Sequence, residues 1–420
     1  MNVPPHILPA IVVAQVAGTS LWFAINAVLP DLQRDWNLPD AALGWLTSAV
    51  QAGFVGGTLV FAFTRLPDRW SPRWLFLACA VLGAVANGLA VALPPRLDLL
   101  IVLRFLTGAS LAGIYPVGMK AAAGWYREGL GAALGLLVGA VILGTALPHG
   151  LRAVGVHWPW QQVMLSVSAI ALAGGVLMAL CVPDGPALRR PGPGAAARWR
   201  LLIDDRKLRA SVFGYFGHMW ELYAMIALVP IVVAQYLDGP LGGQLSAYLS
   251  GDVSGRPGAQ PGAGFGERAA AAVSLISFVV IAAGGVGSAA GGLAARRIGS
   301  APVAAGALAA SGLCCLAAPW MFDAPWWLFG AWMLVWGVCV SSDSPQFSTL
   351  TAQNAPAASV GSVLTMVNCV GFSISIVSIQ LMAELAQQRP VQSVIPLLAI
   401  GPALGLLAMR PLLRRPRAQG

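Results

Sequence analysis

An ionisable side chain inside an apolar run costs about 3 kcal/mol to insert into a membrane, so each one asks for a reason. Four such groups stand out in this 420-residue chain: Arg104, His218, Glu221 and Asp343. Arg104 is followed at helical spacing by Thr107, Gly108, Leu111 and Tyr115, giving one face a charge, a gap and a phenol. An arginine so placed can bind an anionic group or stabilise a nearby carboxylate. The alternative is a structural arginine bonded to carbonyls of a neighbouring helix. His218 and Glu221 stand three apart in His218-Met-Trp-Glu221, share a helix face, and could pass a proton between them. The competing reading has Glu221 wetted near a helix end. Asp343 lies on the stripe Trp332, Trp336, Cys339, Asp343 and Gln346, and the adjacent Pro345 weakens the helix there. A bent structural turn would use the same residues.

Uncharged polar residues make a second set. Gln15, Thr19, Trp22 and Asn26 form one helical stripe of the kind a cavity wall needs; Asn368 with Ser375 forms another, and Gln51 stands alone. Helix–helix hydrogen bonding draws on the same residue types. Glu384 and Lys120 sit near span ends, where they snorkel, and His149 and His157 read as interfacial. Trp158, Trp160, Trp320, Trp326 and Trp327 mark outer boundaries as a belt. There is no His-Glu-x-x-His, Gly-x-Ser-x-Gly or phosphate loop, so an enzyme is not expected. The cysteines at 79, 181, 314, 315, 339 and 369 all fall inside apolar runs without Cys-x-x-Cys spacing. They are expected to pack, and no metal or cofactor is expected.

These residues need elements to hold them. Hydrophobic residues make up 57% of the chain, charged ones 10%, and the mean hydropathy is +0.74. Runs of about 20 apolar residues match a ~30 Å hydrocarbon layer, and twelve are present. They cover 8–30, 41–64, 74–93, 99–121, 130–149 and 160–182, then 210–237, 269–294, 301–321, 326–345, 359–382 and 391–409. The runs do not alternate as barrel strands would, so an all-α membrane protein with twelve transmembrane helices is expected. The first run is too long for a cleaved signal peptide.

Lys and Arg divide 18 to 6 between the two faces, which predicts both termini in the cytoplasm and the chain in the cytoplasmic (inner) membrane. The net charge of +9 therefore marks one membrane face and the lipid bilayer beside it; nucleic acid is not an expected partner. Residues 183–209 separate six runs, 1–182, from six more, 210–420. That stretch opens as a Pro/Gly-rich linker, and its second part reads as a short amphipathic helix on the anionic inner leaflet. The Gly-rich loop 238–268 reads as disordered and carries no expected role.

Between the second and third runs the chain reads Thr64-Arg-Leu-Pro-Asp68-Arg69-Trp-Ser71-Pro72-Arg73. Asp-Arg-x-x-x-Arg at this place resembles the signature loop of the major facilitator superfamily of secondary transporters, with Ser71 where the family has Gly. Arg104-x-x-x-Gly108 in the fourth run resembles an element of proton-coupled members. Gly135, Gly139, Gly144 and Pro148 in the fifth loosely resemble the antiporters' motif, with Leu147 where they have Gly. After the eighth run, Arg296-Arg297-Ile-Gly299 echoes the loop, with Arg297 opposite Arg69 and Gly299 opposite Ser71.

The resemblance implies two pseudo-symmetric six-helix bundles, with substrate bound between them near the midplane. It implies a gate formed by Asp68, Arg69, Arg73, Arg296 and Arg297, in which Asp68 could lie against the start of the eleventh helix near Ser359. The resulting expectation is a monomeric, alternating-access transporter of a small, anionic organic solute, with protons as coupling ion. The alternative is a drug/proton antiporter. Arginines expected of nitrate carriers in the second and eighth runs are absent.

Overall fold

In the computed structural model, residues 3–126, 130–155, 157–186, 188, 201–239, 241, 265–356 and 359–413 are described, without the side chains of Asp68, 130–132, 201 and 265–268. Most of the Gly-rich loop 238–268 and residues 189–200 of the linker lie outside that set. Every regular element among the described residues is helical. Lipid would satisfy no backbone group of an open strand, and these runs have the length to satisfy their own.

The first six spans are built from α1 (Ile7–Thr19), α2 (Ala24–Trp36), α3 (Ala42–Thr64), α4 (Leu66–Arg69), α5 (Pro72–Ala92), α6 (Leu97–Leu111), α7 (Tyr115–Trp125), α8 (Leu130–Val154) and α9 (Trp160–Cys181). After a single turn, α10 (Leu201–Asp204), come α11 (Arg206–Asp238), α12 (Phe265–Ile298), α13 (Ser300–Met321), α14 (Trp326–Ser342), α15 (Ser344–Asn354) and α16 (Val360–Gln388). The last span is α17 (Val391–Val394), a 3-10 turn (Ile395–Ala399) and α18 (Ile400–Leu413). Of the expected amphipathic helix, residues 201–209 fall within the described residues, as α10 and the first turn of α11.

Among the described residues, eleven helical stretches are long and apolar enough to cross a membrane. The tenth position is filled by α14, of 17 residues, continued by α15. Three of the expected continuous spans are thus broken, and the cause is local. Thr19 Oγ1 donates back to the Gln15 carbonyl at 2.7 Å and Ser20 Oγ to that of Ala17 at 2.6 Å, where α1 stops. Thr107 and Ser110 do the same to Leu103 and Thr107 at the end of α6, and Ser342 to Val338 at the end of α14. Such back-bonding competes with the helix ladder and bends it. Pro116 and Pro345, each near the start of the next helix, complete the second and third breaks. The helices after these breaks, α7 and α15, are both 11 residues long, so the fourth and tenth spans break alike.

The helix pairs repeat between halves. In the first, α3 packs on α6, α5 on α9, and α1 on both α8 and α9; in the second, α12 packs on α14, α13 on α18, and α11 on both α16 and α18. The two bundles meet where α8 lies along α12 and α3 along α16. A Cβ on Gly139 would sit 3.0 Å from the Gly285 carbonyl oxygen, so α8 and α12 meet backbone to backbone. Toward the face opposite the 64–73 loop, Gly44 faces Gln380 and Ala383, and Gly150 faces Phe278. Toward the loop face, Gly135, Gly292 and Gly361 on the same helices would meet nothing within 4 Å.

Candidate functional site

The break after α1 turns Trp22 and Phe23 toward the second bundle. Trp22 stacks on Tyr223 and on Phe372, each with centroids 5.6 Å apart, and lies 5.0 Å from Phe54. Phe54 and Phe372 are 4.4 Å apart, and Tyr115 joins through Phe54 at 6.4 Å. Rings from the α1–α2 break, α3, α7, α11 and α16 therefore form one cluster across the bundle interface. Polar atoms beside it are left without partners: Trp22 Nε1, Asn26 Oδ1, and both amide atoms of Gln51. Asn26 Nδ2 does donate to Thr47 Oγ1 at 2.8 Å. Gln15, also fully buried and unpartnered, instead lies against Gly118 of α7. Buried amides without partners are uncommon in a folded interior and mark where a solute or water would bond.

The acidic groups lie in the second bundle and do not pair as the spacing suggested. Glu221 is fully buried; Ser311 Oγ donates to its Oε2 at 2.8 Å, and Trp336 Nε1 and Cys315 Sγ to its Oε1 at 2.8 and 3.2 Å. It makes no ion pair among the described residues. His218 turns away from Glu221, and its Nδ1 lies 2.8 Å from Asp343 Oδ1, off the line of a good hydrogen bond. His218 Nε2 and Asp343 Oδ2 find no partner. Asp343 stands at the α14–α15 break, its main chain joining the two helices while its side chain reaches across to α11. On the stripe, Trp336 serves Glu221 and Trp332 donates to the Cys314 carbonyl at 3.0 Å.

Arg104 bonds to carbonyls of a neighbouring helix break, as its structural alternative has it. It is 1% exposed, and its Nη2 donates to the carbonyls of Leu21 and Trp22 at 3.0 and 2.6 Å, its Nη1 to Asn87 Oδ1 at 3.2 Å. These carbonyls are the ones the break between α1 and α2 sets free. Asn87 in turn donates to Ser168 and to the Met164 carbonyl, both at 3.0 Å. Gly108, one turn on, lets the α6 backbone meet the Val50 carbonyl of α3.

Asn368 is half-buried, and Ser375 is turned to its own helix at the Phe372 carbonyl. His149 is not interfacial but buried, with Nε2 unpartnered. Trp160 is likewise buried and donates to Asp35 at 3.2 Å, unlike the exposed Trp320, Trp326 and Trp327. In the 64–73 loop, Arg69 is exposed and Arg73 lies over the Trp74 ring. Ser71 Oγ donates to Asp184 at 2.6 Å, a bond the family's usual Gly could not make. Lys120 Nζ donates to the Pro67 carbonyl at 2.6 Å. Arg296 and Arg297 are exposed in the last turn of α12. Gly299 and Ser71 both stand as N-cap of the third span in their half. The expected contact of Asp68 with the helix starting near Ser359 lies outside the described side chains.

Residues 11–379 match the family described as Major Facilitator Superfamily. The chain belongs to the major facilitator superfamily. A solved structure of the nucleoside transporter NupG superposes on this facilitator with a TM-score of 0.68 over 97% of this chain and 100% of that one, at 11% identity. A likeness at that identity speaks for the fold. The chloramphenicol resistance protein of Streptomyces lividans is 28% identical over 55% of this chain and 59% of its own length. The niacin transporter NiaP of Acinetobacter baylyi is 32% identical over 23% of this chain and 21% of its own. The 4-hydroxybenzoate transporter PcaK of the same organism is 34% identical over 22% and 20%. The matched segment thus spans just over half the first relative and about a fifth of the other two. The chain's family and its long apolar helices mark it as a multi-pass membrane protein.

Proposed function

We propose that this facilitator moves a small organic solute with an aromatic ring, driven by protons. The observation that carries the ring is the interface cluster of Trp22, Phe54, Tyr223 and Phe372, with unpartnered polar atoms of Trp22, Asn26 and Gln51 beside it. A flat solute can replace the ring-on-ring contacts and bond the free amides, which suits a pocket with apolar walls and a few polar fixing points. The names of the relatives point the same way: chloramphenicol, niacin and 4-hydroxybenzoate are all built on an aromatic ring.

Proton coupling rests on Glu221 and the His218–Asp343 pair, acidic groups held inside the second bundle without an arginine or lysine partner among the described residues. Ionisable groups at such depth are characteristic of proton relays. The bundles 1–182 and 210–420 would rock about the α8–α12 and α3–α16 contacts, as a monomer in the cytoplasmic membrane with both termini inside. On that orientation, the contacts at Gly44 and Gly150 suit a state sealed outside and opening inward. An anionic solute loses its main support, because Arg104 is committed to carbonyls and Asn87. That observation favours the second reading, proton-driven efflux of a neutral or cationic drug.

The test is a substrate panel in proteoliposomes, with and without an imposed pH difference: nicotinate and 4-hydroxybenzoate as anions, chloramphenicol as a neutral ring, a sugar acid without one. Ring compounds should be carried and should respond to the pH difference. Equal carriage of the sugar acid would remove the aromatic reading, and indifference to pH would remove the coupling.

A further inference from the structure

At the loop face of the second bundle, α11 and α18 part to form a pocket of about 460 Å³. Arg206, Arg209 and Arg410 line it, with Phe213 and Leu407 on its walls. None of the three arginines makes an ion pair among the described residues. One guanidinium nitrogen of Arg209 donates to the Ile203 carbonyl at 2.7 Å, and the nearest acid in sequence, Asp205, is turned to the amides of Lys207 and Leu208. Three like charges around one cavity repel one another unless an anion sits between them.

The walls say which anion. Phe213 is 47% and Leu407 50% exposed on helices whose outer faces meet lipid, so the pocket runs from a charged head into an apolar flank. We infer that this pocket holds the phosphate headgroup of an anionic phospholipid, with an acyl chain along Phe213 and Leu407. Guanidinium forks match phosphate oxygens in pairs, which a soluble monovalent anion would use less fully. The site is separate from the bundle interface and does not depend on which solute is carried. It ties α11, which bears His218, Glu221 and Tyr223, to the membrane surface.

The experiment uses the full-length protein in phosphatidylcholine nanodiscs doped with phosphatidylglycerol, and reads retained lipid by native mass spectrometry. Each arginine near a charged lipid should contribute about fivefold in affinity, so R206Q/R209Q/R410Q should bind phosphatidylglycerol about a hundredfold more weakly. R410Q alone should lose about fivefold, which keeps the test open if the triple variant folds poorly in phosphatidylcholine. Undiminished retention by a folded variant would overturn the assignment. So would displacement of the lipid by millimolar inorganic phosphate, which would make the ligand a soluble anion.

Discussion

Arg104 Nη2 lies 2.6 Å from the carbonyl oxygen of Trp22, three spans away, and so the arginine holds the break that aims Trp22 at the second bundle. Hydrogen bonds to a charged group contribute about 1.5–3 kcal/mol each, and buried carbonyls left unmatched add a cost of their own. Arg104→Gln should therefore lower the thermal stability of the purified protein by about 3 kcal/mol or more. Arg104→Lys should recover only part, because one ammonium cannot reach Leu21, Trp22 and Asn87 together. Unfolding followed in detergent checks this. Parental stability with only a raised KM for anionic solutes would point instead to an anion-binding arginine.

Glu221 has three neutral donors on its two oxygens. Glu221→Gln keeps the size and one acceptor but cannot take up and release a proton. Transport driven by a pH difference should fall to background, while protein in the membrane and solute counterflow remain near parental. Full pH-driven transport by this variant would take Glu221 out of the coupling.

His218 and Asp343 should behave as one unit. If the 2.8 Å contact between α11 and the α14–α15 break is where the proton is held, His218→Gln and Asp343→Asn each disable coupling, and the double variant is no worse than either alone. Losses that multiply in the double variant would mean separate roles.

The run lengths that a membrane demands made the all-helical fold legible. The ionisable residues inside the runs were legible too, because their cost marks them. Their partners were not. Spacing joined His218 to Glu221, three residues away, whereas packing joined it to Asp343 on another span, because a helix's rotation about its axis is set by its neighbours. Arg104 read as a cavity residue because nothing in a continuous first helix offers free carbonyls; the break that frees them comes from Thr19 and Ser20 turning onto their own helix. The aromatic cluster escaped notice because its rings come from five places in the chain, and Phe54, Tyr223 and Phe372 are unremarkable alone. Gln51 read as standing alone, although Gly44, Ser48 and Gln51 fall on one face of α3.

The signature loop gives a prediction in two parts. Asp68→Asn should slow transport without changing which solute is preferred, as befits a gate that touches no substrate. Ser71→Gly should lose the bond to Asp184, which is exposed and worth about 1 kcal/mol at most. It should change the transport rate less than twofold. A changed solute preference in the Asp68 variant, measured by competition in proteoliposomes, would count against the gate.

The close approach of Gly139 and Gly285 constrains how the bundles meet. A Cβ at either glycine would sit about as near to the opposite carbonyl as any real contact allows: 3.0 Å from Gly139, 2.9 Å from Gly285. Gly285→Val adds two methyl groups beyond that Cβ and should force α8 and α12 apart, with a strain of about 1–3 kcal/mol. If both conformations of the cycle share this contact, the variant should slow turnover in both directions and leave solute binding within a few fold. Distances between spin labels on the two bundles would report the separation. An unchanged distance distribution with parental turnover would mean that α8 and α12 can slide past the added bulk, and that this crossing is not the pivot.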